Sequence, residues 1–380
     1  MSIRQMFPGS IVKPGFNPLA AQTPTYTYNL FSWGSNNSGK LGLNNTTYYS
    51  SPVQVGSLTT WSILSGGFST VLAIKTDGTL WGWGSNSNGE LGLGNTLGIY
   101  SSPKQVGSLT TWSKIGLSYR SSLAIKTDGT LWSWGGNSNG QLGLGNTTSY
   151  SSPKQIGALT TWANVSISPY SKFNFAITTS GALYGWGQNG NGQLGLSNTT
   201  VYSSPKQIGA LTNWLKVASG AYFTLAVKTD GTLWSWGNNA YGQLGFNNQV
   251  EYTSPKQVGA LTTWLNVAAS YGSSFAVKTD GTIWAWGRND NYQLGIGNAA
   301  NRFSPVQIGS LTNWSTVSTN GVYQGAMATK TDGTLWGWGQ NSDGQLGNGT
   351  TTDTSSPIQV GSSTTWTKVV SLVGATVAIG

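Results

Sequence analysis

Residues 228–237 read KTDGTLWSWG; the same ten residues stand at 126–135, and KTDGTLWGWG stands at 75–84. Self-similarity at a fixed spacing marks architectures in which each unit buries its apolar face only against its neighbours. The Trp-Gly pair that closes the segment recurs as Trp33-Gly34, Trp83-Gly84, Trp134-Gly135, Trp186-Gly187, Trp236-Gly237, Trp286-Gly287 and Trp338-Gly339, at steps of 50 to 52 residues. Each copy holds four short apolar runs, labelled A to D in the order of the unit. In the copy that opens at Trp214 they are WLKVAS, TLAVKT, TLWSWG and SPKQVG. Every run is short, β-branched or aromatic, and bounded by Gly, Asn, Asp or Pro, which is the pattern of a strand. Asp230-Gly231 joins B to C and is a favoured pair for a tight hairpin turn at positive φ. Four antiparallel strands repeated about every 50 residues describe a propeller blade, so the expected fold is all-β, a seven-bladed β-propeller.

The 19 tryptophans fit this frame. Seven are the Trp-Gly residues, seven open strand A (Trp61, Trp112, Trp162, Trp214, Trp264, Trp314, Trp366), and five precede the Trp-Gly pair by two (Trp81, Trp132, Trp234, Trp284, Trp336). Residues two apart share one face of a strand, so Trp234 and Trp236 point the same way. Core packing under a neighbouring blade is the expected role of all of them.

The last copy, WTKVVSLVGATVAIG, stops at Gly380 where the others continue KTDGTLW, and the first begins with YNLFSWG, a strand C without its A and B. The two segments complete one another: residues 27–33 are expected to pair antiparallel with 374–380, closing the ring and removing two exposed sheet edges. The propeller then spans 27–380. Residues 1–26, MSIRQMFPGSIVKPGFNPLAAQTPTY, hold four prolines and follow neither repeat nor strand pattern. They read as an extended arm whose Ile3, Met6, Phe7, Ile11, Val12, Phe16 and Leu19 are expected to dock on a protein neighbour.

Composition removes most chemistry. Neither Cys nor His occurs among the 380 residues, which rules out disulfides, Cys/His metal sites and Ser-His or Cys-His nucleophiles. Catalytic residues, bound metal and cofactors are not expected. Asp290 and Asp343 lie in loops without the run of oxygen ligands that a Ca²⁺ site needs, and read as turn residues. The net charge of +9 is dispersed: five Lys and five Asp share the KTDG element and cancel, and Lys104, Lys154, Lys206 and Lys256 recur in SPKQ. No Arg cluster marks a nucleic-acid surface. MSIRQMFPGS lacks the apolar region of a signal peptide, and no apolar run reaches membrane-spanning length, so membrane insertion is not expected and synthesis in the cytoplasm without an export signal is.

The strings WGGNSNGQLGLGN (134–146) and WGQNGNGQLGLSN (186–198), with LAVKTDGTLWSWG (225–237), resemble the regulator of chromosome condensation repeat family over residues 27–380. The resemblance implies a seven-bladed propeller. It also implies relatives as different as a chromatin-bound guanine-nucleotide exchange factor, a secreted bacterial inhibitor of β-lactamases, and bacterial and phage proteins, so it does not by itself choose a function. Family repeats often carry a His three residues before the Ala of strand B, where this chain has Thr70, Ser121, Phe223 and Ser273. That departure, and the lack of a basic tail, point away from the eukaryotic exchange factor.

The copies agree in the B–C hairpin and the D–A link, which share one face of the disc, and differ in the A–B and C–D loops of the other. The letters before strand D run TTYYS, LGIYS, TTSYS, TTVYS, QVEYT, AANRF and TTTDTS. The A–B loops carry aromatics: Phe68, Tyr119, Tyr170 with Phe173, Tyr222, Tyr271 and Tyr323, with Arg120 and Lys172 beside them. If strand A is innermost, these ring the channel mouth and form a recognition surface for a glycan or protein, the cations favouring acidic groups. The functional expectation is a non-catalytic structural and binding protein, a phage or virus particle component docked through its arm with the variable face displayed. The alternative is a freestanding bacterial surface or secreted binding module, a lectin or protein inhibitor.

Overall fold

The computed structural model describes residues 29–166, 170–319 and 325–380. Among them, 28 strands form seven four-stranded antiparallel sheets, and no helix is long and apolar enough to cross a membrane. Blade 4 shows the unit: strand A Trp214–Ser219, B Phe223–Lys228, C Leu233–Gly237 and D Tyr252–Gln257, bonded in that order. Strands A of successive blades lie side by side around a central channel. Strand A is therefore innermost, as its small residues allow.

The seam closes as the sequence implies, two residues further along. Leu30–Gly34 pairs antiparallel with Ala375–Ile379, Leu30 opposite Ile379 and Gly34 opposite Ala375. Asn29 and Gly380 exchange backbone bonds of 3.2 and 3.1 Å. The sheet order Tyr49–Gln54, Leu30–Gly34, Ala375–Ile379, Lys368–Leu372 makes blade 7 from both ends of the chain. The expected arm, residues 1–26, lies outside the described residues.

Why the repeat insists on Trp-Gly is visible in the packing. Each of the seven Trp-Gly indoles is fully buried, and its N–H donates to a backbone carbonyl of the preceding blade: Trp83 to Lys40, Trp134 to Glu90, Trp186 to Gln141, Trp236 to Gln193, Trp286 to Gln243, Trp338 to Gln293 and Trp33 to Gln345, at 2.8–3.0 Å. The result is a circular set of staples, blade to blade, with the seam included. The glycine that follows bends strand C out of register with D: Gly237 has φ +99°, and a Cβ there would stand 2.6 Å from the Tyr222 carbonyl oxygen.

Fourteen of the tryptophans are buried, but the five that precede Trp-Gly by two are only half-buried. Each packs at the edge of a core shared with the preceding blade, Trp132 against the cluster that holds Leu80 and Val106 of blade 1, and a lysine of its own hairpin covers it further. Lys228 Nζ sits 3.6 Å from the Trp234 ring centroid and 4.9 Å from that of Trp214, and Lys75, Lys126, Lys278 and Lys330 repeat the arrangement. Desolvation over the two rings lowers the Lys228 pKa, against the pull of Asp230, while each cation gains the attraction of the ring faces.

Candidate binding face

The two faces separate as the copies suggest. On one, the B–C hairpin meets the D–A links on either side of it: Thr76 N–H donates to Thr60 O at 2.8 Å and Trp112 N–H to Gly78 O at 3.2 Å. On the other, the A–B loop meets the start of the C–D loop, with Ser85 N–H bonded to Ser69 O at 2.9 Å and Gly136 N–H to Arg120 O at 2.8 Å.

The C–D loops are held rigidly before they diverge. In blade 4, buried Asn239 accepts from Leu244 N–H at 2.9 Å and donates to Asn248 O at 2.9 Å, while Gln243 Oε1 accepts from Tyr241 N–H at 2.8 Å. This is the physical content of the Asn…Gly-Gln-Leu-Gly…Asn signature: side chains satisfy the backbone groups of a tight loop, and the residues after it vary freely.

The A–B aromatics gather into two clusters. Phe68 of blade 1 packs edge-on against Tyr119 of blade 2 (centroids 5.6 Å, 78°) and Tyr170 of blade 3 (5.8 Å, 76°). The Arg120 guanidinium and Lys172 Nζ stand 5.0 and 5.4 Å from the Tyr119 ring, and Tyr119 N–H donates to Ser171 O at 3.0 Å. Arg120 adopts a left-handed backbone, φ +58°, an uncommon conformation for a side chain of that size. On the other side of the mouth, Tyr222 packs against Tyr271 (6.1 Å, 82°), and Arg288 stands 5.0 Å from Tyr241 and 5.9 Å from Tyr271. One ring bridging three successive blades is the sign that these loops converge on the mouth of the channel.

Phe173 does not belong to this surface. It is the first residue of strand B in blade 3, opposite Gly187, fully buried and edge-on to Phe175 at 5.7 Å. Strand B begins there, so the side chain turns into the core. Tyr323 and the arm residues Ile3, Met6, Phe7, Ile11, Val12, Phe16 and Leu19 lie outside the described residues.

Three features of this face were not legible from the repeat. Asp290 is more than a turn residue: it accepts from Arg288 Nε at 2.9 Å and from Gln293 Nε2 at 3.0 Å, which fixes the guanidinium beside the two tyrosines. Burial raises its pKa, but the bonds from Arg288 and Gln293 and the Arg288 charge outweigh this and hold the carboxyl below its ordinary value. Glu90 and Lys40 replace the Gln of the signature in neighbouring copies. Glu90 keeps the Gln role, accepting from Asn88 N–H at 2.7 Å, and borders a small cleft of about 110 Å³ with Phe68 and Arg120. Lys40 cannot accept; its buried Nζ donates to Val373 O. Burial lowers its pKa from 10.5 to about 8, against the raising effect of Asp343. Only comparison with the other copies, residue by residue, could have flagged these two positions.

The regulator of chromosome condensation (RCC1) repeat matches seven times, at residues 29–73, 77–125, 128–169, 180–227, 230–277, 280–319 and 332–379. The chain belongs to the RCC1 repeat family. A second description of the same repeat matches five segments from 62–90 to 264–293. No curated protein is matched by the sequence.

Solved structures give the same fold for this RCC1-repeat chain. Prp20p from Saccharomyces cerevisiae, described with its binding properties to Gsp1p and histones, superposes with a TM-score of 0.84 at 20% identity, over 94% of this chain and 92% of that one. Human WBSCR16 gives 0.81 at 22% identity over 93% and 98%. Yeast RCC1 (Prp20) bound to Kap60 gives 0.81 at 19% identity over 100% and 96%. At these identities the likeness is one of fold. By its family, the chain is a binding or regulatory protein built on a propeller.

Proposed function

We propose that this RCC1-repeat propeller is a non-catalytic binding subunit that presents its aromatic A–B loops to a partner while its opposite face docks in an assembly. The observation that carries the reading is the pair of aromatic clusters, Phe68–Tyr119–Tyr170 and Tyr222–Tyr271, each flanked by cations on loops that differ from blade to blade. Amphipathic rings on rigid supports give contact area at small entropic cost, and the neighbouring Arg and Lys favour acidic groups on a protein or glycan.

The hairpin face supports the docking half of the reading. Leu58, Leu109, Leu159, Leu211, Leu261 and Leu311 occupy one position of the D–A link and are each 46–50% exposed, six apolar side chains around one side of the disc. Such a recurrent apolar surface is suited to a protein neighbour. Asn29, where the propeller begins, lies at the Gly380 end of the seam, on this same side. A segment preceding it that is rich in large apolar residues would reach the same neighbour. We propose further, from the resemblance to phage-encoded propellers, that the assembly is a phage or virus particle, made in the host cytoplasm, with the hairpin face toward its body.

Deleting residues 2–25 tests this. A folded propeller that fails to join its assembly is the expected result; unchanged incorporation refutes the docking role. The cations beside the tyrosines also favour a freestanding binder of acidic ligands, and that reading predicts full ligand binding after the same deletion. Replacing Tyr119, Tyr222 and Tyr271 together by Ala should abolish partner binding in either case.

A further inference from the structure

On the hairpin side, the central channel opens between the first turns of the seven strands A. In each blade, the residue two places after the opening Trp stands in the same register against strand B: Lys114 opposite Ile125, Lys216 opposite Val227, Lys368 opposite Ile379, and likewise Asn164, Asn266 and Thr316. Three lysines, in blades 2, 4 and 7, three uncharged polar residues and Ile63 of blade 1 thus stand at one level of the ring; Lys114 borders a cleft between blades 2 and 3 together with Asp128, whereas Lys216 and Asn164 line the channel.

Lys216 is half-buried, and its Nζ donates to Asn266 Oδ1 of the next blade, whose amide nitrogen donates to Ser315 O at 3.3 Å in the blade beyond. The channel beside it, about 260 Å³, is lined by Asn164, Lys216, Ser318 and Ser371 among the apolar residues of strand A. Desolvation lowers the Lys216 pKa, and the charge of Lys368, three blades away around the ring, lowers it further. The register puts both lysines at the same level of the opening.

No carboxylate answers them from the channel. All ten acidic residues of the chain lie in B–C hairpins or C–D loops, and none on a strand A or a D–A link. The hairpin aspartates on this face are engaged: Asp77, Asp128, Asp230, Asp280 and Asp332 each accept from the N–H and hydroxyl of the Thr two residues on. A partly desolvated cation such as Lys216, with a like charge at the same level, is relieved by a counter-charge between them, and the lower dielectric around Lys216 strengthens that attraction.

We propose that the hairpin-side mouth of the channel is an oxyanion site, in which Lys216 and Lys368, with the Asn164 amide beside them, hold one carboxylate or phosphate group. Lysine suits this role as a mobile point charge with three donors. The site lies on the face opposite the aromatic clusters and does not depend on what those clusters bind.

Isothermal titration of the full chain with sodium phosphate, and separately with a hexaglutamate peptide, at constant ionic strength tests the assignment. Saturable one-to-one binding of either probe is expected; binding of phosphate alone identifies a free anion, and binding of the peptide identifies a carboxylate carried on a chain. The double variant K216Q/K368Q should bind at least tenfold more weakly, with a melting temperature no lower than that of the parent, because a like-charge pair has been removed. Lys368→Gln alone, on an exposed side chain, should weaken binding in the same direction. The double variant K104Q/K154Q, which removes equal charge from the outer strands D, should bind as the parent does. Failure of both probes to saturate, or equal loss in both double variants, overturns the proposal.

Discussion

Replacing Trp83 and Trp236 by Phe, one at a time, separates two otherwise equivalent staples. Both indoles are fully buried, and both donate to the preceding blade, Trp83 to Lys40 O at 2.9 Å and Trp236 to Gln193 O at 2.8 Å. The carbonyls differ. Gln193 O also accepts from the Thr224 hydroxyl at 2.9 Å, and Ser122, Asn174, Ser274 and Thr376 do the same in other blades. Blade 1 has Val71 at this position, so among the described residues Lys40 O has the Trp83 donor alone. Either substitution loses a net hydrogen bond of about 1 kcal/mol and leaves a small void that costs about 1–2 kcal/mol more. Trp83→Phe in addition strands a buried acceptor, which costs a further ~1–2 kcal/mol. In denaturant titrations followed by far-ultraviolet circular dichroism, Trp83→Phe should be the more destabilising by that margin. Val71→Thr, supplying the hydroxyl present in blade 4, should recover about 1 kcal/mol in the Trp83→Phe background and less in the parent, a measurable coupling. Equal effects of the two Trp substitutions, with no rescue by Val71→Thr, would refute the view that these bonds carry the blade-to-blade register.

Other consequences follow from single residues. Gly231→Ala forces a side chain into φ +75° with its Cβ 2.1 Å from Thr262 O, whereas Gly209→Ala at φ +61° meets nothing within 4 Å. The first should cost at least ~2 kcal/mol and the second only the backbone term of about 1 kcal/mol, read from melting temperatures. Lys40→Gln restores the residue used at this position in five other copies. Because the folded pKa of Lys40 is about 8 against an ordinary 10.5, the unfolded chain binds more protons between those values, and this group adds stability as pH rises from 8 toward 10.5. The variant should therefore be the more stable at pH 7, by up to ~3 kcal/mol, and the difference should fade by about pH 10.5; a difference independent of pH would contradict the buried cation. Arg288→Ala should weaken partner binding and loosen the Tyr241 and Tyr271 rings, visible as line broadening in aromatic NMR spectra, since Asp290 holds the guanidinium beside both; unchanged spectra would show that the rings are positioned otherwise.

The architecture was legible because its determinants are local and repeated. Asp-Gly at five of the hairpins, Trp-Gly at each strand C and the split copy at the ends carry blade count, strand order and seam, and the seam register lies two residues further along. The role of Trp-Gly was not legible, because a bond from Trp236 to Gln193 joins residues 43 apart in sequence and depends on how blades stack. Site prediction failed where a loop ended earlier than its letters suggested: Phe173 looks like a loop aromatic beside Tyr170 but is already strand B. The half-exposed leucines of the D–A link were passed over for the opposite reason. Near-identity among copies reads as structural constraint, yet a surface can be repeated too. Neither Arg288 nor Tyr241 lies in an A–B loop: both come from C–D loops, and Arg288 meets Tyr271 of its own blade and Tyr241 of blade 4.

The central claim is that one face docks and the other is displayed. Cryo-electron microscopy of the native material that contains this chain, with mass spectrometry for composition, tests it most directly. The account predicts the propeller at fixed stoichiometry in a larger particle, the leucine-bearing hairpin face against a neighbouring subunit and the Tyr119 and Tyr271 clusters directed outward. A free monomer, or a particle in which the aromatic face is buried and the leucine ring is exposed, would contradict it.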